Sequence, residues 1–207
     1  MLKRRGHKQE VIAGIDEARK YAEENKRYAR LMYRALMKDM KALNKPGHYL
    51  EMGAGPGILA IMIAEANPDI SITAVDLSPD MAAVANEYIR ERKLEDRIRY
   101  LVGDVSDENM MQGLGKFDLV YSAFSLHHWR DPDKSISNLW NAVRDNGVLY
   151  IYDFKRGWWS RLLPVIDFLS AAYTPEEIRA ILQKLGINNH KIKTLFPSFL
   201  QSITVRK

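Results

Sequence analysis

Several residue groups in this 207-residue sequence carry chemistry by their type and spacing. The run Glu51-Met52-Gly53-Ala54-Gly55-Pro56-Gly57 follows a short apolar stretch and opens a helix-forming one. Glycines so placed tighten a strand-to-helix turn and let a ligand approach the bare backbone. A dinucleotide-binding turn reads G-x-G-x-x-G, whereas this one reads G-x-G-x-G with an acid two residues upstream. Pyrophosphate selects amides and a helix dipole rather than a nearby carboxylate, while a ligand bearing an ammonium group tolerates or favours one. Taken alone, the run is also compatible with a plain tight turn.

Asp76 falls about 20 residues after the glycines, where a carboxylate can accept from both hydroxyls of a ribose; a surface acid before a helix cap is the simpler alternative. In Gly103-Asp104-Val105 the carboxylate can accept from an adenine exocyclic amine and the next amide can donate to the ring, with Leu77 and Val105 flanking its faces. By composition alone that tripeptide is a turn. His127-His128 offers imidazole, which titrates near neutrality and can act as a general base, or a histidine that packs or hydrogen-bonds beside a ligand. Adjacent residues are expected to face different ways, and no third ligand stands at metal spacing, so no metal site is expected. Asp153 ends a strand, where it either orients a substrate or caps a turn.

The elements that must position these groups follow from periodicity and punctuation. Residues 9–44 read as helix with a break near Asn25: Val11, Ile15, Ala18 and Ala22 form one apolar stripe, and Tyr28, Met32, Leu36, Met40 and Leu43 another. Lys45-Pro46-Gly47 ends the segment. Strands are predicted at 48–52, 70–75, 98–102, 117–122 and 147–153, with helices at 57–66, 79–92 and 132–144. Ser78-Pro79 is a cap followed by proline at the first helical position, and Thr174-Pro175-Glu176-Glu177 is a capping box that starts a helix over 174–185, ended by Gly186. Two last strands lie near 190–196 and 199–205. Alternating strands and helices imply a mainly parallel sheet covered on both faces. The short link between the last two strands admits only a hairpin, so one strand runs antiparallel.

Composition bounds the class. The chain is 46% hydrophobic and 28% charged, which suits one globular α/β domain. It has no cysteine, which excludes disulfides and thiolate metal sites and fits a cytoplasmic protein. No apolar run reaches the ~18 residues of a membrane span, and the N-terminus lacks the apolar core of a secretory signal. The net charge of +5 is unevenly placed: residues 1–45 hold 13 Lys/Arg and 6 Asp/Glu, a balance of +7, and the remainder holds 18 and 20, a balance of −2. Arg27, Arg30, Arg34, Lys38, Lys41 and Lys45 recur at helical steps, as either a solvated face or a footprint for phosphates.

Four runs in order, Tyr49-Leu50-Glu51-Met52-Gly53-Ala54-Gly55-Pro56-Gly57, Ala74-Val75-Asp76-Leu77-Ser78-Pro79, Tyr100-Leu101-Val102-Gly103-Asp104-Val105 and Phe117 to Trp129, resemble the class I, Rossmann-like S-adenosylmethionine-dependent methyltransferases. The small-molecule group that includes ubiquinone/menaquinone-biosynthesis C-methyltransferases is the most similar in style. The resemblance is strong over 48–153. It implies a seven-stranded sheet ordered 3-2-1-4-5-7-6 with strand 7 antiparallel. It also implies cofactor contacts at Glu51, Gly53, Gly55 and Gly57 (methionine end), Asp76 (ribose), Leu77 and Met81 (adenosine), Gly103, Asp104 and Val105 (adenine), and Ser122 (ammonium). His128 is the histidine it sets toward the methyl group.

Three readings follow: methyl transfer to a small molecule; methyl transfer to RNA or protein through the basic N-terminal helix, which is less favoured; and a non-catalytic cofactor-binding module. Methyl transfer from a sulfonium depends on in-line alignment, for which orientation can supply ~7–11 kcal/mol, in a water-poor pocket. Residues 1–45 are expected to form a helical lid over a domain spanning 46–207, with Tyr21, Tyr28 and Tyr33 as aromatic groups with polar tips and Tyr21, Tyr28 and Asp153 as substrate contacts. Selection of the acceptor is assigned to residues 1–45 and about 154–173. In the latter, Trp158, Trp159, Leu162, Leu163 and Phe168 give an apolar face for core packing or a dimer contact.

Overall fold

The computed structural model describes residues 4, 12–157, 167–195 and 199–207, with the backbone alone at Asp167 and Phe168. Val11, Trp158, Trp159, Leu162 and Leu163 therefore lie outside the described residues, as does the Phe168 side chain.

Seven strands, β1 (Gly47–Met52), β2 (Ile70–Asp76), β3 (Ile98–Val102), β4 (Phe117–Ala123), β5 (Val143–Phe154), β6 (His190–Leu195) and β7 (Leu200–Arg206), form one sheet in the order β3-β2-β1-β4-β5-β7-β6. The first five pair in parallel. β7 runs antiparallel to both β5 and β6, as the short final link requires. The strand order reverses between β1 and β4, which opens a crevice at their carboxyl ends.

Strand alternation sorts the core into two layers. Tyr49, Ile72, Leu119, Tyr121 and Tyr150 join one cluster, with α3 (Ile58–Ala66) packed against it. Leu50, Met52, Val120, Leu149 and Ile203 join the other, under α6 (Pro132–Ala142) and α8 (Pro175–Lys184). The expected caps are present: Ser78 Oγ accepts from Met81 N at 3.3 Å to start α4 (Pro79–Glu91), and Thr174 and Glu177 form the reciprocal box of α8. Asp131 caps α6 ahead of Pro132. A helix absent from the sequence reading, α5 (Glu108–Leu114), starts on Asp107, whose side chain accepts from Met110 N. A short α7 spans Asp167–Ala171.

The N-terminal helices are α1 (Ile15–Met32) and α2 (Arg34–Leu43). The break falls at Tyr33, not near Asn25. The Asn25 Nδ2 donates to the Tyr21 carbonyl four residues back at 2.9 Å, so that side chain serves the helix rather than ending it. α1 sets Ala18 and Ala22, both fully buried, against Met81 and Val84 of α4. Arg19 pairs with Glu87 at 2.8 Å, and Tyr88 Oη donates to Glu23 at 2.7 Å. α2 places Leu36 and Met40 in the main core. Its Asp39 accepts from Tyr150 Oη at 2.9 Å and from Lys193 at 3.3 Å. Residues 34–43 are thus part of the same packed body as the sheet.

Candidate active site

The β1–α3 turn is shaped by backbone geometry. Gly53 and Gly55 adopt φ of +74° and +53°, the left-handed region that side chains disfavour. A Cβ on Gly53 would sit 2.2 Å from Ser125 Oγ, while one on Gly55 would meet nothing within 4 Å. Gly53 therefore permits a close approach of two loops, and the space beside the Gly55 Cα is empty. Asp76, at the end of β2, fastens this turn: its Oδ2 accepts from Gly55 N at 2.8 Å and its Oδ1 from Ser78 N at 3.0 Å. Burial pushes the Asp76 carboxyl above its ordinary range, opposed by the amides of Ser78, Gly55 and Leu77. A carboxylate has about four acceptor positions, so capacity remains after these amides. Tyr100 Oη donates to the Gly55 carbonyl from the next strand.

A cavity of about 460 Å³ opens at these strand ends, within the ~300–1,000 Å³ span of small-molecule sites. Gly53, Gly55, Asp76, Leu77, Met81 and Asp104 line it, together with Gly103 and Val105. Asn138, which the sequence reading passed over, holds that last loop: its buried Nδ2 donates to the Val105 carbonyl at 2.9 Å.

Other expected contacts lie elsewhere. Glu51 is 2% exposed and does not line the cavity. Its parity along β1 matches Tyr49, so it points under α3, where Tyr121 Oη donates to it at 3.0 Å. Burial pushes its carboxyl up to about 8, partly opposed by bonds from Tyr121 and the Ala60 amide. Ser122 is fully buried beside Ile151 in the sheet, with no hydrogen-bond partner for Oγ among the described residues. Gly57 packs against Ala85 at the start of α3, where an added Cβ would sit 3.1 Å from that side chain. Tyr21 lines the cavity, but Tyr28 does not and is 54% exposed.

The histidines follow β4 on a single 3-10 turn, Leu126–His128. The expectation that neighbours diverge does not hold here, because the tight turn brings both rings to the cavity with centroids 4.0 Å apart. His127 Nδ1 lies 2.8 Å from Asp153 Oδ1, and its backbone N–H donates to Asp153 Oδ2 at 3.0 Å. Asp153 is 1% exposed and does not itself line the cavity, but it holds His127, which does. An ionised Asp153 fixes the Nδ1–H tautomer and leaves the ring's lone pair on Nε2.

The remaining wall is apolar and aromatic. Phe124, just past β4, has φ of +54°, an outlier for a bulky side chain. Packing holds it there: its ring lies 5.8 Å from Tyr33, 5.1 Å from Tyr152 and 4.8 Å from Phe154. Phe124, Tyr33 and Phe154 all line the cavity with Met32 and Trp129. Nothing local in the sequence marks Phe124, since its strain comes from partners on α1–α2 and β5.

Comparison with known proteins agrees with this geometry. A family model described as a methyltransferase domain matches residues 50–149, the stretch that holds the glycine turn, Asp76, Asp104 and both histidines. Over that stretch, just under half of its 207 residues, the chain is similar to the methyltransferase-domain family. An uncharacterized protein of Synechococcus sp. is 33% identical over 103 residues, covering 50% of this chain and 24% of that protein. A demethylmenaquinone methyltransferase of Thermus thermophilus is 27% identical over 169 residues, covering 73% of this chain and 75% of that enzyme. The chain thus spans about a quarter of the Synechococcus protein and three quarters of the Thermus enzyme. A solved structure of a proposed S-adenosyl-L-methionine-dependent methyltransferase from Methanococcus maripaludis superposes with a TM-score of 0.75 at 22% identity, covering 96% of each chain; that likeness is one of fold.

The cavity fits this cofactor on its own evidence. The carboxylate at the β2 end keeps acceptor capacity, Gly55 leaves the space beside its Cα free of side chain, and Leu77, Met81 and Val105 offer apolar flanks for a flat base. Among the described residues no helix is long and apolar enough to cross a membrane.

Proposed function

We propose that this protein transfers the methyl group of S-adenosylmethionine to a small, flat, largely apolar acceptor held against Phe124, Tyr33 and Phe154. The observation that carries this reading is the single cavity wall that joins Asp76 and the glycine turn on one side to the paired histidines and the aromatic group on the other. When bound, the cofactor supplies an electrophilic methyl on a sulfonium. Asp76 would accept from the ribose hydroxyls, Leu77 and Met81 would flank the adenosine, and Asp104 with the Val105 amide would read the adenine edge. The bare turn at Gly53 and Gly55 would face the methionine end. Glu51 and Ser122 would act on that end only from behind the turn, and Gly57 by seating α3.

For an acceptor that must lose a proton, the His127–His128 pair would take it, with Asp153 positioning His127 and holding charge that develops on the pair. His128 would face the acceptor, and Tyr21 and Tyr33 would close the mouth as parts of a lid formed by α1 and the turn after it, α2 staying in the packed body; Tyr28 would touch the acceptor only if α1 turned. The apolar wall excludes water and favours in-line alignment. An acceptor of this kind accords with the demethylmenaquinone of the Thermus relative's name, and a cytoplasmic setting suits the cysteine-free sequence.

The test is a labelled-methyl transfer screen over metabolite, RNA and protein pools, run beside calorimetry with S-adenosylhomocysteine. Label in small apolar aromatic compounds is the expected result. Label confined to RNA or protein would overturn the acceptor class, and cofactor binding without label anywhere would favour a non-catalytic module.

A further inference from the structure

Five large hydrophobic residues stand exposed among the described residues, and four of them lie on α1: Ile15, Tyr21, Tyr28 and Leu31. Leu31 is 73% exposed, at the junction with α2, where a soluble surface gains nothing from leucine. At 3.6 residues per turn the faces of α1 follow in a fixed order. Ala18, Ala22 and Ala29 face the body and are buried. Next come Tyr21, Asn25 and Met32, which line the mouth of the cavity. Then come Tyr28 and Leu31, both exposed, and beyond them Arg27 and Arg30. The Arg27 guanidinium lies 5.8 Å from the Tyr28 ring centroid, so the apolar and cationic strips touch.

The charge beside this strip is mainly positive. Arg27, Arg30, Arg34 and Lys38 follow it along the chain, whereas Lys26 pairs with Glu23 at 3.6 Å and Lys45 donates to the Asn146 carbonyl at the amino end of the sheet. Asp39 is the one acid on α2. Asp39 is already engaged by Tyr150 and Lys193. Arg30, Arg34, Lys38 and Lys41 are exposed and meet no carboxylate within ion-pair distance among the described residues. A solvated helix face would intersperse acids at i±4; Arg27 has Glu23 there, but Arg30, Arg34 and Lys38 have none.

We infer that the Tyr28–Leu31 strip of α1, with the cations of α1 and α2 beside it, docks the protein on an anionic lipid surface and turns the cavity mouth toward it. A short apolar strip flanked by unpaired Lys and Arg is the chemistry that binds in the plane of such an interface. Phosphate-bearing nucleic acid would answer the charge and could stack a base on Tyr28, but it would not answer the exposed Leu31. The position of the strip next to Tyr21, Asn25 and Met32 gives the docking a consequence: an apolar acceptor dissolved in the bilayer would enter without crossing water. That consequence rests on the proposed methyl transfer, whereas the docking itself does not.

The experiment is vesicle flotation of the full chain with phosphatidylcholine vesicles and with phosphatidylcholine–phosphatidylglycerol vesicles, alongside calorimetry with S-adenosylhomocysteine on the same preparation. Binding to the anionic vesicles alone, weakened by salt, is expected. Each cation near such a surface contributes roughly a fivefold factor in partition, so Arg30→Gln with Arg34→Gln should lower it about 25-fold. Leu31→Ser should lower it about tenfold. Neither variant should change S-adenosylhomocysteine affinity, because neither residue lines the cavity. No binding to anionic vesicles overturns the inference, as does binding indifferent to Leu31→Ser and displaced by tRNA, which would assign the face to nucleic acid. Vesicle binding without S-adenosylhomocysteine binding would overturn the proposed function and leave the docking standing.

Discussion

Asp153 grips His127 twice, through the ring Nδ1 at 2.8 Å and the backbone N–H at 3.0 Å. The two residues are 26 apart in the chain and come together because β4 and β5 are neighbours in the sheet. One carboxylate thereby fixes the position of the turn after β4 and the tautomer of the ring that it presents.

Asp153→Asn should therefore separate binding from transfer. The amide keeps the size of the side chain but cannot stabilise a positive imidazole. kcat should fall roughly 10²-fold or more if the imidazole pair moves a proton, with little change in KM for the cofactor. His127→Ala should fall with it, and His128→Ala tests the half of the pair nearer solvent. Equal kcat in wild type and both histidine variants would leave alignment alone as the source of rate.

Asp76→Ala removes two amide contacts of the turn and the acceptor proposed for ribose. Bonds to a charged group contribute ~1.5–3 kcal/mol each, so S-adenosylhomocysteine affinity should drop at least tenfold by calorimetry. An unchanged affinity in a folded variant would mean that the β2 carboxylate serves the turn alone.

Glu51 sets a pH dependence of stability. Its carboxyl titrates at about 8 in the folded protein because of burial, against ~4.3 in an unfolded chain. Between those values the native state holds a proton that the unfolded state has released. Stability conferred by the neutral acid is complete below the lower value and is lost as pH rises through the upper one. Glu51→Gln should flatten the fall in Tm between about pH 5 and about pH 8. Parallel Tm profiles for the two proteins would show that Glu51 is ionised in the fold.

Two deletions should differ. Removing residues 1–33 takes away the α1 contacts with α4 and part of the cavity mouth, leaving α2 in place; the remainder should fold and bind S-adenosylhomocysteine more weakly, with transfer abolished. Removing residues 1–44 also strips Leu36 and Met40 from the main core. Core truncations cost about 2–5 kcal/mol each, so the longer deletion should lower Tm sharply or fail to fold. Full activity in the shorter deletion would show that α1 plays no part at the site.

Much of this architecture was legible in the chain. The caps at Ser78 and Thr174, the glycine turn and the final hairpin are local: each is read from residues within a few positions, whose backbone needs are met by those same residues. Asp76 and Asp104 were legible because a carboxylate at the end of a parallel strand is delivered to the crevice wherever the strand sits. The direction of Glu51 was legible too, since Tyr49 and Glu51 share a parity that Leu50 and Met52 do not, although the glycine motif drew it toward the ligand.

Tertiary packing decided the rest. Asn25 looked like a helix breaker, yet its amide bonds within the helix and the break falls at Tyr33. Tyr21 and Tyr28 are seven residues apart on nearly one face, and only the docking of α1 on α4 sets the first in the cavity wall and the second in solvent. His127 and His128 are equivalent as letters. Their difference arises because a carboxylate from a neighbouring strand reaches one ring, and pairing between strands is fixed by burial of the whole sheet rather than by any residue beside the histidines.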